Sequence, residues 1–273
     1  MILWQKEAGA AWLAEHETWL VAFAGENLAI ISRPGRARTL VQILCPRRVM
    51  AEKLVRRFGG TSASLPHDWL ESFQSQAAHP PIRIGRRLEV ASEPDPENSG
   101  GRLFIPAAGA FGTGEHSTTA MSLRLLEETT RNLSPGWRLL DAGTGTGILA
   151  LAACRFGARD VLGLDFDPCA IRHARQNARA NHISRAKFLV ADVLRWKPDL
   201  RYDLITANLF SELLVAALPT FRRALRAKHP MIISGILREQ ADSVVEALNR
   251  SGFEMETQRR RGKWIALRAC RKT

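Results

Sequence analysis

From Trp137 onward the chain alternates short apolar runs with longer amphipathic stretches, and this alternation limits the fold more than any other feature. WRLLDAG (137–143), DVLGLDFD (160–167), AKFLVAD (186–192), YDLITANLF (202–210) and PMIISGI (230–236) have the length and apolar character of strands buried on both faces. Helical stretches lie between them. GILALAACRFG (147–157) stops at Gly157, and PCAIRHARQNARANH (168–182) carries Pro168 in its first turn, where a missing N–H costs nothing. A third helix falls at roughly 211–227 and a fourth in REQADSVVEALNRSG (238–252). Strands alternating with helices of this length predict an α/β fold with a doubly wound, mostly parallel sheet. FEMETQ and KWIALRA read as a closing hairpin, which completes seven strands and puts an antiparallel strand at one edge.

The earlier part of the chain has a different texture. Residues 1–60 read as a small α+β domain. TWLVAFA (18–24) and NLAIISR (27–33) predict two short strands around a Gly-Glu-Asn turn, and RTLVQIL (38–44) predicts a third. Arg47 to Phe58 has helical spacing of Val49, Leu54, Val55 and Phe58, and Gly59-Gly60 ends it. Residues 61–103 read as a connector, in which DWLESFQSQ predicts a short helix, IRIGRRLEVAS a strand pair and EPDPENSGG a loop. The alternating domain occupies residues 104–273.

Two glycine-rich loops carry the chemistry. DAGTGTG (141–147) follows a strand and opens a helix, so it sits at the carboxyl end of the sheet, where α/β folds bind ligands. Gly143, Gly145 and Gly147 allow close backbone approach with N–H groups aimed at the ligand. The spacing is GxGxG with Asp141 just ahead, not the GxGxxG of a dinucleotide site, and it resembles the first motif of S-adenosylmethionine-dependent methyltransferases. Asp165 ends the second strand, 20 residues past Gly145, where a carboxylate can accept two hydrogen bonds from ribose hydroxyls. Asp167 reads as a helix cap. Asp192 ends the third strand, either as a neighbour of the adenine or as a turn residue. Asn208 ends the fourth strand in TANLF, at the catalytic position of several amino-group methyltransferases; a cap of the next helix is the alternative. The Asn-Pro-Pro-aromatic pattern used for base amines and glutamine amides is absent, which argues against those substrates.

The other loop, GAFGTGEHSTT (109–119), precedes the first strand, where this fold places a cover over its cofactor. Phe111 can lie against the adenosine or methionine part, and Thr113, His116 and Thr119 can meet the methionine carboxylate and ammonium. The alternative is a helix N-terminus capped by Ser117 or Thr118.

With AFGTGEHSTT, LLDAGTGTGILALAA, GLDFDPCAI, ANLF, SGIL and GKWIAL in view, the chain resembles the bacterial ribosomal protein L11 methyltransferase family over residues 104 to 268. AFGTGxHxTT is the most specific of these, and WLESF (69–73) is similar to that family's connector helix. The sequence departs from the family at Ala108, where proline is usual, in reading GTGTG for GCGSG, and in its basic residues 1–60. The resemblance implies S-adenosyl-L-methionine as cofactor, lysine or N-terminal amines of ribosomal protein L11 as substrate, residues 1–60 as the substrate-recognition domain, and Asn208 as the catalytic group that orients the amine. A protein-lysine methyltransferase with another target, an RNA methyltransferase and a non-catalytic cofactor-binding module are the competing readings.

The charge bears on partners. The 39 basic and 27 acidic residues leave a net +12, concentrated in RRVMAEKLVRR (47–57) and near the C-terminus. Such a surface suits an acidic partner such as RNA, ribosomal RNA included, or an RNA-bound protein, or is simply solvated. Cys45, Cys154, Cys169 and Cys270 are scattered without a CxxC, so a reducing cytoplasm and no zinc site are expected. No apolar run approaches the roughly 20 residues of a membrane span, and the N-terminus lacks the pattern of a signal peptide. A cytoplasmic monomer with no membrane contact is the expectation.

Overall fold

The anticipated runs after Trp137 become five parallel strands in a computed structural model that describes residues 2–24, 27–31, 38–64, 81–93, 101–106, 116–131 and 133–273. The chain separates into two units, Met1–Gln76 and Ala77–Thr273.

The first unit contains β1 (Ile2–Ala8), α1 (Ala10–Ala24), β2 (Leu28–Ile31), β3 (Thr39–Cys45), α2 (Arg48–Phe58) and β4 (Thr61–Ser64). Its strands form an antiparallel sheet in the order β2-β3-β1-β4. Trp4 and Ala8 alternate with more exposed neighbours along β1, as Val41, Ile43 and Cys45 do along β3, so one face of the sheet is buried. Leu20 and Ala24 of α1 and Ala51, Leu54 and Phe58 of α2 complete that core.

TWLVAFA corrects the sequence reading, because it forms the C-terminal half of α1 rather than a strand. The apolar stretch is continuous with AAWLAEHE, and 15 residues without a break exceed any ordinary strand, so length outweighs the aromatic and β-branched content. β1 was not anticipated at all. The expected helix DWLESFQSQ and the WLESF resemblance fall on residues outside the described ones.

The second unit opens with β5 (Ile82–Ile84), β6 (Leu88–Ala91) and β7 (Arg102–Phe104). The expected strand pair β5–β6 is antiparallel, and β7 joins it in parallel. Asn181, just past the helix Pro168–Ala180, then holds β7, accepting from Phe104 N at 2.7 Å and donating to its carbonyl at 2.6 Å.

The main elements follow as α3 (Ser117–Thr130), β8 (Arg138–Ala142), α4 (Ile148–Arg155), β9 (Asp160–Asp165), α5 (Pro168–Ala180), β10 (Ala186–Val190), β11 (Leu204–Asn208), α6 (Ser211–Ala224), β12 (Pro230–Leu237), α7 (Ala241–Arg250), β13 (Phe253–Arg261) and β14 (Trp264–Arg271). The seven strands run in the order β10-β9-β8-β11-β12-β14-β13. Successive residues serve opposite faces. Leu139, Leu204 and Ile232 pack with α3, α4 and α5, whereas Leu140, Ile205, Met231 and Ile233 pack with α6 and α7. Helices on both faces make the sheet doubly wound, and the strand order reverses between β8 and β11.

The hairpin inserts its second strand, not its first, beside β12. β14 is the antiparallel member, second from the edge, and β13 is the edge. The residues explain this: Ile265, Ala266, Leu267 and Ala269 of β14 are buried, while β13 alternates with exposed Glu254, Glu256, Gln258 and Arg260. Charged side chains on an edge strand also discourage pairing with another chain. Among the described residues no helix is long and apolar enough to cross a membrane.

Candidate functional site

A cavity of about 840 Å³ opens at the carboxyl ends of β8, β9, β10 and β11. It brings together Thr119, Gly143, Gly145, Asp165, Asp192 and Asn208, six of the ten residues the sequence singled out. That is the place the reversal of strand order predicts for a ligand.

The glycine loop is shaped by what surrounds it. Gly143 N and Thr144 N both donate to the carbonyl of Leu164 at 2.8 Å, which fastens the loop to the end of β9. Gly143 has φ +70°, and a Cβ there would stand 2.2 Å from Cδ2 of Leu209. Leu209 follows Asn208 and its N–H donates to Ser234 O at 3.0 Å, so the first loop and the end of β11 fix each other.

Asp165 joins this loop to the turn that follows β9. Its Oδ2 accepts from Gly145 N and its Oδ1 from Asp167 N, each at 3.0 Å. Both oxygens keep further lone pairs for a ligand in the cavity. Asp167 acts as the cap expected of it, accepting from Cys169 N at 2.7 Å. Asp192 lies two residues beyond the end of β10. Its Oδ1 accepts from Leu194 N at 2.9 Å and its Oδ2 is 3.7 Å from Arg195, so the turn role and a place on the cavity wall coexist.

Asp141 is placed differently from the others. It is 1% exposed and lies under the loop rather than on the cavity wall. Thr144 and Thr206 donate to its two oxygens at 2.7 Å each, and burial pushes its carboxyl up to about 6 against the pull of those hydrogen bonds. His116 is also away from the wall. It, not Ser117 or Thr118, is the N-cap of α3, with Nδ1 accepting from Thr118 N at 3.5 Å and 2.7 Å from Thr118 Oγ1. Its ring meets Trp264 edge-on at 5.3 Å, and burial, followed by the charge of Lys263, holds its pKa below the usual histidine value. Phe111 and Thr113 lie outside the described residues.

Asn208 does not cap α6, whose N-cap is Phe210. Its Nδ2 instead points to Oγ1 of Thr119, 3.4 Å away in the first turn of α3.

Sequence reasoning missed several wall residues: Phe166, Cys169, His173, Val193, Leu209 and Leu213. Phe166 is 77% exposed directly after Asp165 and stands on the cavity wall. The signal was present in GLDFDP as an aromatic just past a strand end. No group of histidine, cysteine or carboxylate side chains suited to a metal occurs among the described residues.

A family model described as ribosomal protein L11 methyltransferase (PrmA) matches residues 53–272. The chain belongs to this family. A ribosomal protein L11 methyltransferase of Lacticaseibacillus paracasei is 36% identical over 206 residues, covering 74% of this chain and 64% of that protein. Another from Pelotomaculum thermopropionicum is 38% identical over 205 residues, covering 74% and 65%. The chain thus spans just under two thirds of the length of these two relatives. A solved structure of the ribosomal protein L11 methylase of Lactobacillus delbrueckii subsp. bulgaricus is 30% identical, covers 71% of this chain and all of that chain, and superposes with a TM-score of 0.63. The family match begins within α2, so β1, α1, β2 and β3 precede it.

Proposed function

We propose that this chain is an S-adenosylmethionine-dependent protein methyltransferase acting on lysine or N-terminal amines of ribosomal protein L11. The observation that carries the proposal is the convergence of Asp165, the glycine loop and Asn208 on one cavity at the reversal of strand order. Membership of the L11 methyltransferase family supports the substrate.

The residues present fit the cofactor. Asp165 offers two carboxylate oxygens, already oriented by Gly145 N and Asp167 N, to a pair of ribose hydroxyls. Gly143 keeps its backbone bare where a side chain would collide with Leu209, and Phe166 offers an exposed ring beside Asp165. Asp192 and Val193 line the part of the cavity past β10, suited to a base. Thr119 and Asn208 line the part at α3 and β11, and in this reading Phe111, Thr113 and His116 belong to the cover at that end. When bound, the cofactor supplies an electrophilic methyl group on a sulfonium.

The protein's own contribution is placement. Asn208 is a neutral amide at the end of a buried strand, able to accept a hydrogen bond from an amine and fix the direction of its lone pair. An amine entering an apolar site loses part of its preference for the charged form, so burial itself favours the nucleophilic state. Asp141 acts from beneath, bracing the glycine loop through Thr144.

In the same reading residues 1–60 recognise the substrate, and the protein acts as a cytoplasmic monomer. Exposed Arg47, Arg48, Lys53, Arg56 and Arg57 on or beside α2 support contact with ribosomal RNA. The test is incubation with methyl-labelled S-adenosylmethionine and unmodified L11, alongside total ribosomal proteins and RNA, read by intact-mass and peptide mass spectrometry. Whole-methyl mass gains on L11 amines are expected. Label on another protein changes the target, and label on RNA alone overturns the proposal.

A further inference from the structure

The hairpin that closes the large sheet has a tip built from cations. Arg260 and Arg261 end β13, Gly262 and Lys263 turn the chain into β14, and all four are exposed. A hollow of about 490 Å³ lies against this tip, lined by Arg238, Glu239, Arg260, Gly262 and Lys263. Arg238 and Glu239 belong to the short turn that follows β12. Arg238 N donates to Lys263 O at 2.8 Å, and Arg260 Nε donates to Gly262 O at 3.3 Å. The three cations are therefore carried on joined backbone at the carboxyl end of β12.

Their charge is uncompensated. On the same hairpin Arg259 pairs with Glu128 and Arg268 with Glu256. Arg238, Arg260 and Lys263 form no ion pair among the described residues, and Glu239, the one carboxylate lining the hollow, pairs with none of them. Each guanidinium carries five N–H donors in a planar fork that matches an oxyanion, a carboxylate above all.

Two contacts tie this hollow to the larger cavity. Trp264, next to Lys263, meets the ring of His116 edge-on at 5.3 Å, and His116 caps α3, whose first turn brings Thr119 to the cavity wall. Gln240, next to Glu239, accepts from Ser211 Oγ at 2.7 Å and donates to Glu212 Oε1 at 3.0 Å, and Ser211 opens α6 three residues past Asn208. The hollow thus flanks the end of the site at Asn208 and Thr119. Asp165 and Asp192 belong to the other end, at β9 and β10.

We propose that Arg238, Arg260 and Lys263 form a specificity site for the protein substrate, receiving a carboxylate side chain that neighbours the target amine. The proposal rests on the methyltransferase reading above. An amine reaches the enzyme as a cation, and three cations beside the entrance repel it. A carboxylate near the amine reverses that sign, whereas further lysines strengthen the repulsion. The cluster therefore selects by attraction and by rejection together. One compact hollow also matches a single carboxylate better than a nucleic-acid strand, which needs a groove that follows its backbone.

The test uses the full-length chain with both arginines reversed, Arg238→Glu/Arg260→Glu, and neutralised, Arg238→Gln/Arg260→Gln. Both positions are exposed, and unfolding transitions and S-adenosylhomocysteine affinity, expected within about twofold of wild type, check that the fold is kept. The reversed variant is expected to raise KM for L11 by roughly tenfold at low salt with kcat within about twofold, and the neutral variant by less. The difference is expected to shrink as salt screens it. A second measurement does not depend on turnover. Fluorescence anisotropy, with S-adenosylhomocysteine present, compares a labelled lysine peptide flanked by glutamates with the same peptide flanked by glutamines. Wild type is expected to bind the glutamate peptide several-fold more tightly, and the reversed variant to prefer the glutamine one. An unchanged KM, a loss confined to kcat, or equal binding of the two peptides would overturn the inference. So would a loss of RNA binding with the peptide preference intact, which would make the cluster a nucleic-acid contact. Should the wild-type protein leave L11 unmethylated, the proposed function falls, and the peptide pair still decides the hollow.

Discussion

Asp141 and Thr206 are joined across β8 and β11 by a buried hydrogen bond of 2.7 Å. Thr144 satisfies the other carboxylate oxygen, so the glycine loop, the central strand and its neighbour share one acidic group. The two hydroxyls do not fully offset the loss of water, and the carboxyl rises from 3.8 to about 6. Between those values the folded protein holds a proton that the unfolded chain has released. Stability from this group is thus greatest in acid, falls as pH rises through about 6, and stays lower above it by about 3 kcal/mol. Asp141→Asn removes the titration while keeping the shape. Urea unfolding of both proteins across this range should show wild type losing stability relative to Asp141→Asn as pH rises. Parallel curves would mean that the carboxyl is not perturbed.

Asp165 should govern cofactor affinity and Asn208 turnover. A charge-assisted hydrogen bond is worth about 1.5–3 kcal/mol, so Asp165→Ala should weaken S-adenosylhomocysteine binding by roughly tenfold to a hundredfold in calorimetry. Asn208→Ala should leave that affinity within about twofold and lower kcat by at least about tenfold. Comparable losses of affinity in both variants would show that the two roles are not separate. Because Asp165 also holds Gly145 N and Asp167 N, its unfolding transition should be recorded alongside.

Leu209 sits between two glycines that restrict it in different ways. A Cβ on Gly143 would meet the Leu209 side chain at 2.2 Å, whereas a Cβ on Gly235 would meet the Leu209 carbonyl oxygen at 2.2 Å. Both glycines also have positive φ, +70° and +91°. Gly143→Ala and Gly235→Ala should each cost about 1–3 kcal/mol in chemical denaturation. Leu209→Ala removes the side-chain collision but not the backbone one. A double-mutant cycle should therefore show favourable coupling of about 1 kcal/mol between positions 143 and 209 and little between 235 and 209. Equal coupling in the two cycles would count against this packing.

What the sequence revealed follows the range of the interactions involved. β8, β9, β11 and β12 were readable because both their faces are buried, leaving continuous apolar runs. Asp165 and the glycine loop were readable because they sit at fixed offsets within one strand-helix-strand unit. β1 was not, since ILWQKEA carries three polar residues in a row and gains its partners only from β3 and β4, far along the chain. The hairpin was legible, but which of its strands would lie beside β12 depends on burial across the whole sheet. The Asn208–Thr119 contact has no local signal. Asp141 was found by its place in a motif, yet its task beneath the loop depends on Thr206, which only the pairing of β8 with β11 brings near.

His116 offers a last test, through its own titration. Its ring is partly buried against Trp264, with Lys263 Nζ 5.2 Å from the centre of that indole. Burial is the larger cause of its lowered pKa and the Lys263 charge the smaller. The neutral ring is the form that can accept at Nδ1 and cap α3. The unfolded chain therefore binds more protons than the folded one between the folded value and 6.5. The stability that His116 contributes is complete above 6.5 and is lost as pH falls through its folded value. Titration of the imidazole by NMR should give a midpoint below 6.5. Lys263→Gln should raise that midpoint, and Trp264→Ala, which opens the ring to water, should raise it further. A midpoint indifferent to both changes would remove Trp264 and Lys263 as its environment, and with them the account of why α3 begins at a histidine.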